Sequence, residues 1–74
     1  MKKEIPINEL SSGMILINEF DTPMNWTEGK VEKVYKLFEL SQYTWIKVRL
    51  NSGRIYEFSV NADKTKSVVI NQAL

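Results

Sequence analysis

The chain has no cysteine and no histidine, only three glycines and two prolines, and no apolar run approaching the length of a membrane-spanning helix. Without cysteine there are neither disulfides nor thiolate ligands. Stability must then come from a core or a partner, and a reducing, cytoplasmic setting is expected. Without histidine, Ser-His and Cys-His nucleophile pairs and imidazole metal ligands are excluded. Gly13, Gly29 and Gly53 stand alone, so there is no glycine-rich phosphate cradle. The opening "MKKEIPINEL" passes from two lysines to an acid and a proline instead of an apolar stretch, so neither a secretory signal nor a membrane partner is expected. Glu19, Asp21 and Glu28 are the acids of one stretch, but their spacing is not that of a calcium loop, and a solvated acidic loop is the expected role. No enzyme activity, cofactor or metal site is expected.

What is present is one short domain, residues 1–74, with its charges unevenly placed. Residues 1–28 carry two lysines against five acids, net −3, whereas residues 29–74 carry eight basic residues against four acids, net +4. Lysine outnumbers arginine eight to two, so forks suited to bidentate phosphate or guanine contacts are few.

Turn residues divide the chain into runs with strand character. Ser11-Ser12-Gly13 precedes "MILI", a first strand near Met14 to Ile17. Residues 18–28 form a long loop, "NEFDTPMNWTE", that carries Phe20, Met24 and Trp26 among loop-forming residues. From Gly29 to Leu40 the apolar phase slips, with Val31 odd and Val34, Phe38 and Leu40 even. The slip predicts a strand with a bulge or bend near Lys33. A helix is the competing reading of this segment.

"YTWIKVRLNSGRIYEFSV" reads as a hairpin whose register follows from its turn. With Asn51-Ser52-Gly53 as a three-residue loop, Gly53 left-handed, Leu50 meets Arg54. Val48 then faces Tyr56, Ile46 faces Phe58 and Thr44 faces Val60, an apolar face. Lys47 opposite Glu57 and Arg49 opposite Ile55 share the other face with Tyr43 and Trp45. A two-residue loop would set Val48 against Glu57 and is rejected. "NADKTK" leads to a last strand, Ser67 to Asn71, with Val68 and Ile70 inward.

Five strands in this order make an all-β chain that resembles the SH3-like small barrel, with a long loop between strands 1 and 2. Trp45 stands near the start of the third strand, where SH3 domains place the tryptophan of their peptide groove, and Glu19, Asp21 and Glu28 give the first loop a similar acidic character. The chain departs from those domains at "ILINEFD", where they have an Ala-Leu-Tyr-Asp-Tyr-like run, and at "VNADK", which lacks the groove's Pro and Tyr. The opening "PINELSSGMIL" is similar to the Leu-x-x-Gly-Met start of various bacterial small barrels. The resemblance implies a fold and a binding role, not proline-peptide recognition.

Binding is therefore the expected function, through a protein partner. Trp26, Met24, Tyr43 and Trp45 are the candidate apolar patch, with Asp21 and Glu19 as an acidic rim that would select a basic partner. Phe20 is the candidate core plug. High lysine, asparagine and isoleucine usage suggests a bacterial, phage or plasmid accessory factor or inhibitor by association alone. The alternative is a nucleic-acid face built from Lys30, Lys33, Lys36, Lys47, Arg49 and Arg54 beside Tyr43 and Trp45. A third option is a homo-oligomer formed by pairing of a strand edge, for which the sparsely charged "SVVINQAL" is the candidate.

Overall fold

In the computed structural model, which describes residues 1–20 and 24–72, six strands form one antiparallel sheet. They are β1 (Lys2–Pro6), β2 (Ile15–Ile17), β3 (Glu28–Tyr35), β4 (Tyr43–Arg49), β5 (Ile55–Asn61) and β6 (Ser67–Asn71). A short 3-10 turn, Ile7–Glu9, follows β1. The sheet order is β1-β6-β2-β3-β4-β5.

The hairpin of β4 and β5 closes as its turn chemistry dictates. Gly53 takes φ 89°, a backbone angle that costs glycine nothing, and its N–H donates to the Leu50 carbonyl at 2.9 Å. The Leu50 N–H donates to the Arg54 carbonyl at 2.8 Å. Every pair from Val48↔Tyr56 to Thr44↔Val60 then falls in the expected register. The phase slip in β3 is also real. Between Val31↔Val48 and Lys33↔Lys47 the pairing shifts by one residue, leaving Glu32 as the extra residue of a bulge.

Three expectations are corrected. The strand count is six, not five, because "KKEIP" adds β1 beside β6, held by Gln72 N–H to the Met1 carbonyl (2.8 Å) and Ile7 N–H to the Lys66 carbonyl (3.0 Å). Only Ile5 of that strand turns inward, so its charged sequence disguised it. The sheet is also open instead of a closed barrel: β1 occupies one side of β6, and the outer edge of β5 pairs with no strand among the described residues. Lastly, β3 stops at Tyr35, so Phe38 and Leu40 are not inward strand residues but exposed loop residues.

The core lies on one face of the curled sheet. Leu16, Val31, Ile46 and Val48 are fully enclosed, ringed by Ile5, Ile7, Leu10, Val68 and Ile70. The loop after β2 adds Trp26, and Phe20 meets Phe58 edge-on with ring centres 5.5 Å apart. Gly29 sits where strands approach closely: a Cβ there would lie 3.1 Å from Val48 Cβ and 3.0 Å from Leu50 Cδ2. Gly29→Ala is expected to lower stability by about 1–3 kcal/mol through overpacking, measured as a reduced urea midpoint at unchanged m-value.

Candidate functional site

The side-chain phase of β4 sorts the candidate residues onto opposite faces. Thr44, Ile46 and Val48 are buried, so Tyr43, Trp45, Lys47 and Arg49 face outward. Opposite them on β3 stand Tyr35, Lys33 and Lys30, paired with Trp45, Lys47 and Arg49 in that order. The rings of Tyr35 and Trp45 stack, 6.3 Å between centres and 18° between planes. Lys33 Nζ lies 4.7 Å from the Tyr35 ring centre, and the Tyr35 hydroxyl donates to Glu57 Oε2 at 2.8 Å. Arg49 Nε donates to Glu32 Oε1 at 3.1 Å.

The patch expected from Trp26, Met24, Tyr43 and Trp45 is not brought together. Trp26 is buried to 8% exposure and packs against Phe58 at 5.9 Å, so it belongs to the core and not to a gripping surface. Met24 packs on the same core, whereas Tyr43 and Trp45 lie on the outer face. Asn18 anchors the loop, its Nδ2 donating to the carbonyls of Trp26 (2.7 Å) and Met24 (3.2 Å). Glu19 does not rim the outer aromatic residues but bonds Lys2 Nζ at 2.8 Å. Asp21 lies outside the described residues. Phe20 serves as the plug its position suggested.

Among the basic candidates, Lys30, Lys33, Lys47 and Arg49 share the outer face. Arg54 instead lies 5.6 Å from the Tyr56 ring, and Lys36 follows the end of β3. The edge candidate "SVVINQAL" is corrected: its β6 portion is flanked by β1 and β2, and Ala73 and Leu74 lie outside the described residues.

Sequence reasoning missed the most exposed apolar group. Leu37, Phe38 and Leu40, at 68%, 65% and 92% exposure, crown the connection from β3 to β4. The connection is a defined turn: Ser41 N–H donates to the Phe38 carbonyl at 3.1 Å, and Tyr43 N–H donates to Ser41 Oγ at 3.1 Å. The signal was their apolar character without turn residues around them, which was read as strand.

A cleft of about 400 Å³ between the ends of β5 and β6 is lined by Glu4, Glu19, Phe20, Val60, Lys64 and Val69, among others. Its two carboxylates already accept from Ser67 Oγ (2.9 Å) and Lys2 Nζ (2.8 Å). Among the described residues no group of three acids is placed to hold a metal ion, and no helix is long and apolar enough to cross a membrane. No protein-family model, curated protein or solved structure matches the chain significantly.

Two outcomes follow. Trp26→Ala is expected to cost about 3–5 kcal/mol by urea unfolding, whereas Trp45→Ala, which removes a half-exposed stacking partner, costs about 1 kcal/mol. The Tyr35 hydroxyl is held above its ordinary value of 10.0, first by its hydrogen bond to Glu57 and then by desolvation and the carboxylate charge. Folding therefore favours the protonated phenol, a stabilisation that is complete below that ordinary value and is lost as the pH rises from it through the raised one. In a spectrophotometric titration the Tyr35 phenol should ionise above 10.0, and Glu57→Ala should lower its ionisation point.

Proposed function

We propose that this chain is a non-enzymatic binding module that docks on a protein partner through the turn between β3 and β4. The observation that carries the reading is the exposure of Leu37, Phe38 and Leu40 on a turn held by its own hydrogen bonds. Such a cluster gains nothing inside this fold. Seating it in a partner's pocket would be worth about 1.5–3 kcal/mol for each side chain fully buried. Tyr43, 44% exposed at the foot of the turn, extends the apolar surface with a polar tip suited to an interface rim.

The sheet supports this as the presenting scaffold. Strands β2 to β6 lie in one open antiparallel sheet in the order β6-β2-β3-β4-β5, and Val34 and Thr44, beside the two feet of the turn, point into its core. A convex tip on a rigid sheet suits an accessory factor or inhibitor that plugs a concave site on another protein.

The test replaces Leu37, Phe38 and Leu40 together by serine. The triple variant should keep the parent's stability within about 0.5 kcal/mol, because the side chains are already in water. It should also lose a partner captured by the parent from the native host. Capture undiminished by the triple change, or unfolding caused by it, would overturn the proposal.

A further inference from the structure

The outer face of β3 and β4 presents a second surface, independent of the apolar turn. Two like-charged pairs stand directly opposite each other across these strands, Lys33 with Lys47 and Lys30 with Arg49. Such pairing is unfavourable in a free sheet. The Lys33–Lys47 pair is produced by the bulge at Glu32, whereas Lys30 and Arg49 meet in the register before it. Were the Val31↔Val48 register continued without it, Glu32 would face Lys47 and Val34 would face Trp45. The shift replaces a complementary pair with a repelling one, and it also brings Tyr35 onto Trp45.

The acids nearby offset the group only in part, and one of them, Glu57, stands directly opposite Lys47 across β4 and β5. Glu32 bonds Arg49, Glu57 accepts the Tyr35 hydroxyl, and Glu28 turns to Asn71 Nδ2 at 3.3 Å. Among the described residues Lys30, Lys33 and Lys47 have no carboxylate within salt-bridge distance. Next to the cations lies the ring stack. Tyr35 covers one face of the Trp45 indole, and across β4 the neighbour of Trp45 is Ser59, exposed and too small to cover the other. The result is a slot, an indole face left open over Ser59, with Lys47 and Glu57 as the next pair along the strands.

We propose that this face binds single-stranded nucleic acid, with an unpaired base stacked on Trp45 above Ser59 and the flanking phosphates between Lys33 and Lys47. Phosphates relieve the repulsion of the like-charged pairs, and the open indole face supplies the stacking site. A single strand is selected because bases stacked inside a duplex do not offer a free face to a protein ring. The acidic loop residue Glu19 does not oppose this, since it is tied to Lys2 on β1, away from the face.

Titration of the intact protein with a short oligothymidylate, followed by tryptophan fluorescence over a salt series, tests the proposal. Binding should quench Trp45, and its affinity should fall steeply with salt. Ser59→Phe, which fills the slot without changing charge, should weaken binding about tenfold or more, as loss of one stacked base does. Lys33→Gln with Lys47→Gln should flatten the salt slope by about one to two. The parent's urea midpoint in the Ser59→Phe variant separates a blocked slot from a lost fold. Absence of binding at low salt, equal affinity for a duplex of the same length, or anionic vesicles that bind as well with no change at Trp45 would each overturn it. Retained oligonucleotide binding in the Leu37, Phe38 and Leu40 serine variant is expected, so this test and that of the turn fail separately.

Discussion

Ile46 and Val48 have no exposed surface, and their burial sets the phase of β4, on which the rest of the molecule depends. In a strand each side chain points opposite to its neighbours, so burying these two commits Trp45, Lys47 and Arg49 to the outer face. The same two residues hold β3 on one side through Val34 and Val31, and β5 on the other through Phe58 and Tyr56. Phe58 in turn receives Phe20 and Trp26 from the loop after β2, so a loop of turn-forming composition becomes a lid on the core. One buried nitrogen, Trp26 Nε1, has no partner among the described residues, and burial of the indole body offsets that loss.

Two features of the outer surface run against what folding alone would favour. Apolar Leu37, Phe38 and Leu40 remain in water, and Lys33 faces Lys47 and Lys30 faces Arg49 across β3 and β4. The first arises where β3 ends at Tyr35, and the Lys33–Lys47 pair of the second arises at its bulge. A β3 without the bulge would set Glu32 against Lys47, although Lys30 would still face Arg49. Departures from local consistency of this kind concentrate where a surface has work to do other than holding the fold together.

The hairpin was legible because its register depends on one three-residue turn and on strict alternation beside it. The bulge was legible from a phase slip between Val31 and Val34. β1 was not, since an edge strand needs only one inward residue, Ile5, and its partner β6 lies at the far end of the chain. Phe38 and Leu40 misled for the opposite reason: apolar residues signal the interior, and nothing in their own type distinguishes a core residue from one left outside. Trp26 among Asp21, Pro23 and Asn25 read as surface, and only Phe58, thirty-two positions onward, makes that site a core.

By itself the sequence determined the all-β character, the turn at Gly53, the faces of β4 and β5 and the lack of imidazole or thiol chemistry. These rest on residue type and near-neighbour spacing. Tertiary structure decided which strands became edges, that the sheet stayed open, that Trp26 went inside while Leu40 stayed out, and that Tyr35 met Trp45. Each of those depends on segments distant in the chain competing for the same partners and the same buried volume. Local pattern carries no record of that competition.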